Sequence, residues 1–363
     1  MTDERLRKTL ERLEADGLIS ADPGIVRMLT GHSYDIETGP NVFALPAIVV
    51  ASGEGGTVLV CSADEAEESD TTIIYEGFTV SPITRLASAR RSVENAIERT
   101  RGTGARWAVD GASVPVGALP NVQSSTPADG ALAALTAVKN TNDIAAIGAA
   151  IGVCDAGQSA AREATRAGAT ELEVWQHVRE AMESRAGGRI PILADLVSGA
   201  RTAEVGGPPS MGSILQGDLL LVDLVPRVDG VWGDSCSTFV DAEPTVEQDR
   251  AHAAARAALD RGLEMLRPGT RSGDVDAAVR AVMADDGWEY PHHTGHGVGF
   301  AWHEEPRIVP DNDTVLEPGM VVALEPGTYT ADWGLRVEQV AVVTEAEPRV
   351  LSGHSLAFKR TPG

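Results

Sequence analysis

Five residues in the second half of the chain have side chains that could together bind a cation. Asp223, Asp234, Glu325 and Glu338 supply carboxylates, and His296 supplies an imidazole. All five lie in apolar or glycine-rich segments, where burying a lone ionised group costs several kcal/mol. One such acid would be interpreted as a strand end facing solvent. Four acids and a histidine together predict a metal site, since oxygen ligands with one nitrogen suit Mn²⁺, Co²⁺, Fe²⁺ or Zn²⁺.

The order and spacing of these residues resemble the pita-bread metallopeptidases, a family that includes proline-specific aminopeptidases and prolidases. Asp223 lies in an apolar, strand-like run, and Asp234 follows eleven positions later. A Gly-His-Gly contains His296, a Glu-Pro-Gly begins with Glu325, and a Gly-x-Arg-x-Glu ends with Glu338. The resemblance is strong from about residue 130 to the end of the chain and weaker before it.

The resemblance implies two divalent metal ions, with Mn²⁺ as the first choice and Co²⁺, Fe²⁺ or Zn²⁺ as alternatives. Asp234 and Glu338 would bridge both ions. Asp223 would complete the shell of one ion, and His296 with Glu325 would complete the other. A hydroxide between the ions would be the nucleophile, because bound metal lowers the pKa of water to about 7. Glu325 would also be the proton shuttle of the reaction.

Further side chains of the same segments are expected to contact the substrate. His292 and His303 lie four residues before and seven residues after His296. The resemblance implies that these two histidines touch the substrate carbonyl and the proline or product carboxylate, and that they complete the catalytic set. Arg336 would either orient a ligand carboxylate or bind the substrate carboxylate. Tyr329 is expected to line the pocket.

Other residues near these motifs have simpler interpretations. His293 is expected to be an exposed spare histidine, and His252 to lie on the solvated face of a helix. Glu304 is expected either to interact with the ligand side chains without binding the metal itself or to lie on the surface. Strand alternation places Cys236 on the same face as Asp234. Its thiol would therefore either contact the ligand side chains on the side away from the metal or pack as a small hydrophobic group.

One histidine of the family pattern is missing from this chain. The family has it in the extended stretch before the first metal strand, and aligning SGARTAEVGG with that stretch places Gly206 there. No histidine occurs between His177 and His252. The resemblance assigns the missing residue a hydrogen bond to the substrate or the leaving amine, so its absence leaves the substrate open.

The leading prediction is a dinuclear metal-dependent hydrolase that cleaves Xaa-Pro bonds in dipeptides or short peptides, in the manner of an Xaa-Pro aminopeptidase or prolidase. An alternative is a non-peptidase enzyme similar to creatinase, ectoine hydrolase or dimethylsulfoniopropionate lyase, because one fold hosts several chemistries. A third is a catalytically weakened binding protein. Four buried acids without a metal would repel one another, which argues against the third alternative.

The elements that must position these residues predict a mixed α/β chain with two domains. Residues 1–125 contain an opening amphipathic helix and several strand-like runs, and they resemble a creatinase-type N-terminal domain. The turn-rich stretch 121–130 marks the boundary. Residues 130–363 are expected to form the pita-bread catalytic domain. The resemblance also supplies the expectation of an internal pseudo-two-fold symmetry in that domain.

The charge pattern limits the partners of the protein. The 363 residues include 53 acidic and 30 basic side chains, for a net charge of −23. This balance argues against a nucleic-acid surface, which needs a basic face. Only three basic residues are lysines, Lys8, Lys139 and Lys359. Acids spread along the whole chain and so little lysine are typical of a halophilic archaeon, whose molar salt screens self-repulsion.

Composition and cysteine usage give the expected location. No run reaches the roughly 20 apolar residues of a membrane span, and the N-terminal segment does not resemble a secretory signal. Cys61, Cys154 and Cys236 form no CxxC pair. We therefore expect a cytoplasmic enzyme that acts on a peptide or another small molecule, without nucleic-acid or membrane partners. The resemblance favours a homodimer.

Overall fold

The computed structural model describes residues 3–33, 44–63, 65–77, 85–100, 106–127 and 130–360. The chain divides into two compact units, Met1–Thr136 and Ala137–Gly363. This division falls shortly after the turn-rich stretch 121–130 that was predicted as the domain boundary. Two of the strand-like runs expected from the sequence, residues 41–51 and 72–80, extend into residues 41–43 and 78–80, which lie outside the described residues.

The first unit is built on a six-stranded mixed sheet. Its strands are β1 (Gly17–Ser20), β2 (Ile48–Ser52), β3 (Gly56–Ser62), β4 (Thr72–Tyr75), β5 (Trp107–Val109) and β6 (Ser124–Ser125). Its helices are α1 (Glu4–Arg12), α2 (Pro23–Thr30) and α3 (Arg85–Arg99). The strand order is β4-β3-β2-β1-β5-β6, and β1 lies between antiparallel β2 and parallel β5. Asp3 and Asp22 cap α1 and α2, because each carboxylate accepts a backbone N–H of the first turn.

The second unit contains four long helices. They are α5 (Thr141–Ala164), α6 (Glu171–Ala186), α7 (Val246–Met265) and α8 (Ser272–Asp285), and the short α4 (Ala133–Ala137) precedes them. Reciprocal capping boxes begin α5, α6 and α7, at Asn140, Thr170 and Thr245. The box formed by Thr170 and Glu173 is the one that the sequence pattern Thr-x-x-Glu predicts.

The first sheet of this unit carries the first two predicted ligands. Its strands are β7 (Ile192–Ser198), β8 (Leu219–Val228), β9 (Val231–Trp232) and β10 (Cys236–Val240). β8 lies between β7 and β10 and pairs antiparallel with both. Asp229 and Gly230 both have positive φ, 48° and 80°, which is the conformation of a tight hairpin turn. Asp229 and Gly230 therefore form a tight hairpin turn between β8 and β9.

The second sheet carries the remaining predicted ligands. Its strands are β11 (Gly295–Gly297), β12 (Glu304–Ile308), β13 (Val321–Leu324), β16 (Gln339–Val342) and β17 (Arg349–Val350), and a separate hairpin joins β14 (Gly327–Tyr329) to β15 (Gly334–Arg336). The sheet order is β12-β11-β13-β16-β17. A helix pair followed by a sheet thus occurs twice, with α5 and α6 before β7–β10 and α7 and α8 before β11–β17.

Helix α5 is the one described helix that is long and apolar enough to cross a membrane by length and composition alone. Within its most apolar window, 44% is buried inside the protein. Ile147, Ile151 and Cys154 are among its fully buried residues, and the helix packs on α6 and β8. Core packing therefore accounts for this apolar face.

His252 is buried, so its prediction as a solvated-face residue is wrong. Its exposed fraction is 7%, and its ring stacks on Phe358 with centroids 4.4 Å apart. Burial lowers the pKa of His252 to about 4. The prediction that His252 lies in a helix was correct. Helix periodicity could not show that the C-terminal segment, through Phe358, covers this histidine.

Candidate metal centre

Three of the predicted ligands converge from distant places in the chain. Asp223 lies within β8, Asp234 in the turn between β9 and β10, and Glu338 between β15 and β16. The backbone N–H of Glu338 donates to the carbonyl of Cys236 at 3.0 Å, which joins its segment to β10. One carboxylate oxygen of each acid lies within 4.8 Å of those of the other two. Asp223, Asp234 and Glu338 are called the acid side of the site below.

Burial and mutual repulsion raise the pKa values of the acid side. Burial, reinforced by neighbouring acids, raises the pKa of Asp234 and of Glu338 well above the usual range. Burial also raises the pKa of Asp223 to about 6, although Arg336 acts in the opposite direction. Carboxyls this close cannot all ionise without a cation between them. The acid side is therefore suited to bind positive charge.

His296 reaches the same pocket because glycines flank it. Gly295, His296 and Gly297 form β11, which pairs with β12 on one side and β13 on the other. A Cβ at Gly295 would lie 2.1 Å from the carbonyl oxygen of Ala323, and a Cβ at Gly297 would lie 2.2 Å from that of Glu305. The Gly-His-Gly motif is thus needed for close strand packing around the imidazole.

The free nitrogen of His296 faces the carboxylates. Its Nδ1 lies 3.0 Å from the carbonyl oxygen of Gly297. That contact places the proton of the neutral ring on Nδ1 and leaves the lone pair on Nε2. Nε2 lies 3.3 Å from Glu325 Oε1 and 3.5 Å from Asp234 Oδ2. Asp234 therefore lies close both to the other two acids and to His296, and it could contribute to holding a cation near either.

Glu325 follows β13 and faces two imidazoles. His293 Nε2 lies 2.8 Å from Glu325 Oε1, and only 19% of the His293 side chain is exposed, so the prediction of an exposed spare histidine is wrong. Burial alone would raise the pKa of Glu325. His293 and His296 outweigh burial and lower that pKa well below its usual range.

One nitrogen each of His293, His296 and His303 lies within 4.8 Å of those of the other two. These three histidines and Glu325 are called the imidazole side of the site below. The sequence signal for His293 is its place three residues before the Gly-His-Gly histidine, but spacing alone does not give the direction of its ring. The structure brings all five predicted ligands to one place and adds this histidine to them.

Arg336 orients a ligand carboxylate, which was one of its two predicted roles. Its Nη2 donates to Asp223 Oδ2, and its Nη1 donates at 2.9 Å both to the carbonyl of Val205 and to the hydroxyl of Tyr329. The Tyr329 hydroxyl also lies 3.1 Å from His292 Nε2. A buried chain of polar contacts therefore runs from the acid side to the predicted substrate histidine.

The two predicted substrate histidines are neutral at neutral pH. Burial lowers the pKa of His292 to about 4. Burial, reinforced by His296 and His293, lowers the pKa of His303 to about 3. Arg307 Nη1 donates to His303 Nδ1 at 3.2 Å, which places the proton of the neutral ring on Nε2. Neutral imidazoles can donate to or accept from a bound ligand without carrying charge.

These residues surround a pocket of about 230 Å³. Its lining includes the five predicted ligands, His292, His293, His303 and Arg336, together with Leu193, Ala194, Asp195, Val205, Val225 and Trp302. Asp195 was missed by the sequence analysis. It is the β7 partner of Asp223 in register, so pairing of the ILADLVSG strand with the LLLVDLVP strand was the signal that could have identified it.

Gly206 has ordinary backbone geometry, but the space beside it is occupied. A Cβ at Gly206 would lie 2.0 Å from Asp195 Oδ2 and 3.3 Å from Asp195 Cβ. The preceding residue, Val205, has the unusual φ of 73°. Where the family pattern has a histidine, this chain therefore has a glycine against a pocket-lining carboxylate.

Cys236 lies behind the pocket. Residues 233–235 interrupt the predicted strand, so Asp234 and Cys236 do not share one continuous strand face as expected. The thiol is fully buried beside Val197, Leu221 and Tyr329. Its sulfur lies 4.0 Å from the carbonyl oxygen of Arg336, at the outer limit for a weak bond. Cys236 is thus mainly a small hydrophobe that supports the pocket wall.

Glu304 supports the site from behind. Its Oε1 lies 2.7 Å from Lys139 Nζ, with 6% and 0% of the two side chains exposed. The same oxygen accepts the backbone N–H of Phe300 at 3.2 Å. Since Glu304 directly follows His303, this buried ion pair fixes the segment that carries the histidine.

Two buried carboxylate oxygens of the predicted ligands, Glu325 Oε1 and Glu338 Oε1, lack a hydrogen-bond partner among the described residues. Such atoms are costly to bury unless something else satisfies them. Both face groups that could coordinate the same ions, and the donor set is four carboxylates with imidazole nitrogen. The residues present therefore fit divalent metal ions.

Comparison with known proteins agrees with this chemistry. The model of metallopeptidase family M24 matches residues 145–345, more than half of the chain. The chain belongs to metallopeptidase family M24. Members of this family use divalent metal ions, and the predicted metallopeptidase family is confirmed.

Individual relatives carry related names. A protein named "Probable dipeptidase PepE" from Mycobacterium tuberculosis is 33% identical over 215 residues, 58% of this chain and 57% of that protein. An Xaa-Pro dipeptidase from Pyrococcus furiosus is 30% identical over 228 residues, 62% of this chain and 66% of that protein. Each of these alignments thus covers less than two thirds of the relative's length.

A solved structure extends the likeness in fold to both units. The structure of an Xaa-Pro dipeptidase from Bacillus anthracis superposes with a TM-score of 0.81, at 23% identity, and covers 98% of each chain. At this identity the likeness shows the fold. The predicted α/β pita-bread architecture is confirmed.

Proposed function

We propose that this protein is a metal-dependent peptidase that hydrolyses Xaa-Pro bonds in dipeptides or short peptides. The observation that carries the proposal is the convergence of Asp223, Asp234, His296, Glu325 and Glu338 in one pocket. The pocket of about 230 Å³ has room for a small ligand rather than a folded chain. Relatives named as Xaa-Pro dipeptidases support the substrate class.

The acid side would hold the first of two divalent ions, and His296 with Glu325 the second, with Asp234 and Glu338 shared. Mn²⁺ is the proposed ion because oxygen ligands predominate, with Co²⁺, Fe²⁺ or Zn²⁺ as alternatives. When bound, the ions supply Lewis-acid polarisation of the scissile carbonyl and lower the pKa of water.

The side chains around the ions would have separate roles in catalysis and substrate binding. Glu325 is ionised at neutral pH and can accept a proton from the attacking water and pass it toward the leaving nitrogen. His303 would donate its Nε2–H to the substrate carbonyl or carboxylate, because Arg307 donates to its Nδ1. His292 would contact the substrate in exchange for one of its present hydrogen bonds, to the carbonyl oxygen of His293 or to the hydroxyl of Tyr329. Arg336 keeps Asp223 ionised and oriented. Trp302 is 48% exposed at the pocket and stacks on His303, so it offers an apolar surface to a substrate side chain.

The test compares wild type, Glu325→Gln and Glu345→Gln on Xaa-Pro and non-proline dipeptides, with Mn²⁺ and molar KCl. Glu345 is an exposed acid that does not line the pocket, and it is the matched control. We expect wild type and Glu345→Gln to cleave Xaa-Pro bonds and Glu325→Gln to lose at least about 10² in kcat.

Other outcomes favour the alternatives. Glu325-dependent turnover of creatine, an ectoine or dimethylsulfoniopropionate, without Xaa-Pro cleavage, would replace the peptidase proposal with a non-peptidase enzyme. Metal binding without turnover of any compound would favour a binding protein.

We further propose a cytoplasmic homodimer from a halophile. Three buried cysteines that remain free support a reducing compartment. The net charge of −23 supports a high-salt environment. The dimer rests on the family resemblance, and light scattering in molar KCl would test it.

A further inference from the structure

The imidazole side has more nitrogen than the five-ligand pattern requires. His293, His296 and His303 each offer one ring nitrogen within 4.8 Å of the others. The five-ligand pattern uses only His296, and the resemblance gives His303 to the substrate. His293 has no role in either set.

The position of His293 is that of a ligand rather than of a structural hydrogen bond. Its Nε2 lies 2.8 Å from Glu325 Oε1, yet neither atom has a partner in hydrogen-bond geometry among the described residues. His293 Nε2 is also buried. A buried nitrogen and a buried oxygen, close together and both unsatisfied, face a common point that a cation can occupy.

The separations match the edges of a coordination shell. Glu325 Oε1 lies 2.8 Å from His293 Nε2 and 3.3 Å from His296 Nε2. Ligands about 2.0–2.2 Å from one ion lie about 3.0–3.5 Å apart in octahedral or tetrahedral arrangement. The three atoms therefore need only small shifts to share one ion.

We propose that His293 is an additional ligand of the ion that His296 and Glu325 bind. Resting on the proposed metal centre, this assignment gives the imidazole side two nitrogen ligands, while the acid side keeps only oxygen. Imidazole favours Co²⁺ and Zn²⁺ relative to Mn²⁺. His293 thus raises the affinity of one of the two sites for Co²⁺ and Zn²⁺ more than for Mn²⁺.

The test measures metal binding directly. Metal-free wild type, His293→Gln and His177→Gln are titrated with Co²⁺, Zn²⁺ and Mn²⁺ against a competing chelator, and the visible absorption of bound Co²⁺ is recorded. His177 is an exposed helical histidine outside the pocket and serves as the control. Circular dichroism of the metal-free proteins checks that each variant is folded.

We expect His293→Gln to weaken one of two Co²⁺ sites by at least about 10-fold, to weaken Mn²⁺ less, and to change the Co²⁺ spectrum. His177→Gln should match wild type. In His293→Gly, added imidazole should restore the spectrum, because a free ligand can enter the vacated space.

Two results would overturn the assignment while leaving the metal centre intact. One is a His293→Gln protein whose Co²⁺ affinity and spectrum equal those of wild type. The other is an equal loss of Co²⁺ and Mn²⁺ affinity without imidazole rescue, which would indicate a general disturbance of the site. Failure of wild type to bind any of the three metals would instead refute the proposed function and the assignment together.

Discussion

The two sides of the pocket are built in different ways. The acid side gathers Asp223, Asp234 and Glu338 from segments more than a hundred residues apart at the extremes, and strand pairing and backbone hydrogen bonds fix their positions. The imidazole side comes mainly from one short segment, residues 293–303, with Glu325 added from the position directly after β13. Sheet register therefore constrains the acid side, whereas a single segment can add or lose an imidazole with little change elsewhere.

The two sides also differ in charge. The acid side repels itself, and its raised pKa values show that its carboxyls resist ionisation. The histidines of the pocket that have shifted pKa values, His292 and His303, are neutral near pH 7. The acid side thus needs a cation for full ionisation, whereas under the proposal for His293 the imidazole side sets which cation is preferred.

The largest expected effect follows from removing a shared acid. Asp234→Asn should lower peptidase activity by about 10³ or more, because one ligand change affects both ions. In the metal-free state the same substitution should leave the melting temperature unchanged or raise it, since it removes a repelling charge. Activity assays, metal analysis and thermal melts with and without Mn²⁺ measure these quantities.

Asp229→Asn is the control for that comparison, because Asp229 is exposed in a turn whose positive φ asparagine tolerates. It should retain wild-type activity and metal content. Greater loss of total metal in His296→Gln than in Asp234→Asn would contradict the greater need of the acid side for a cation.

The second prediction concerns the missing histidine at position 206, beside Asp195. Gly206→His alone should destabilise the protein by about 1–3 kcal/mol, because its Cβ overlaps the Asp195 carboxylate. The double variant with Asp195→Ala should recover that stability. It should also raise Xaa-Pro turnover by up to about 10², since a donor to the transition state has a typical effect of this size.

Denaturant unfolding and kcat on Xaa-Pro dipeptides measure both parts of this prediction, with Asp195→Ala alone as the control. A Gly206→His protein as stable as wild type would show that the Asp195 side chain can move away at little cost in free energy. Equal turnover in the double variant and in Asp195→Ala would show that position 206 does not contact the reacting groups.

The third prediction uses pH to separate the two sides. The raised pKa values of Asp234 and Glu338 mean that the metal-free protein binds protons that a metal must displace. Metal affinity should therefore rise with pH, by about one log unit per pH unit for each proton released. Neutral His292 and His303 have no proton to release in this range, so they do not contribute.

Calorimetric titrations of Mn²⁺ above pH 6, in buffers of different ionisation enthalpy, count the released protons. The slope of the logarithm of Mn²⁺ affinity against pH should fall in Asp234→Asn and stay unchanged in His292→Gln. An affinity that is independent of pH would show that the acid side is already ionised before metal binds.

Sequence motifs predicted the acid side better than the imidazole side. The proximity of Asp223, Asp234 and Glu338 was predicted from the family resemblance in their order and spacing, and the structure brings these residues together. Periodicity did not predict the break at 233–235 or the proximity of Asp195, because both depend on register between strands that are far apart in sequence.

The errors on the histidines have a similar cause. His252 was predicted to be solvated and His293 to be exposed, since a single segment does not show what packs against it. The C-terminal segment covers His252, and the carboxylate after β13 faces His293. The long-range partners of a residue decide its burial, and local pattern carries little information about them.

The smallest expected effect distinguishes the acid side from the acids of the surface. Raising KCl from low to molar concentration should increase the melting temperature by several degrees, because salt screens repulsion among exposed acids in a chain of net charge −23. Repulsion within the acid side should change little, since buried charges are screened less than exposed ones. The additional stabilisation by saturating Mn²⁺ should therefore be similar at low and high salt.

Thermal melts over a KCl series, with chelator or with Mn²⁺, measure the stabilisation by salt and the stabilisation by metal. A melting temperature that stays flat or falls with salt would contradict the halophilic adaptation. A metal-induced shift that disappears at high salt would place the repelling acids in contact with solvent.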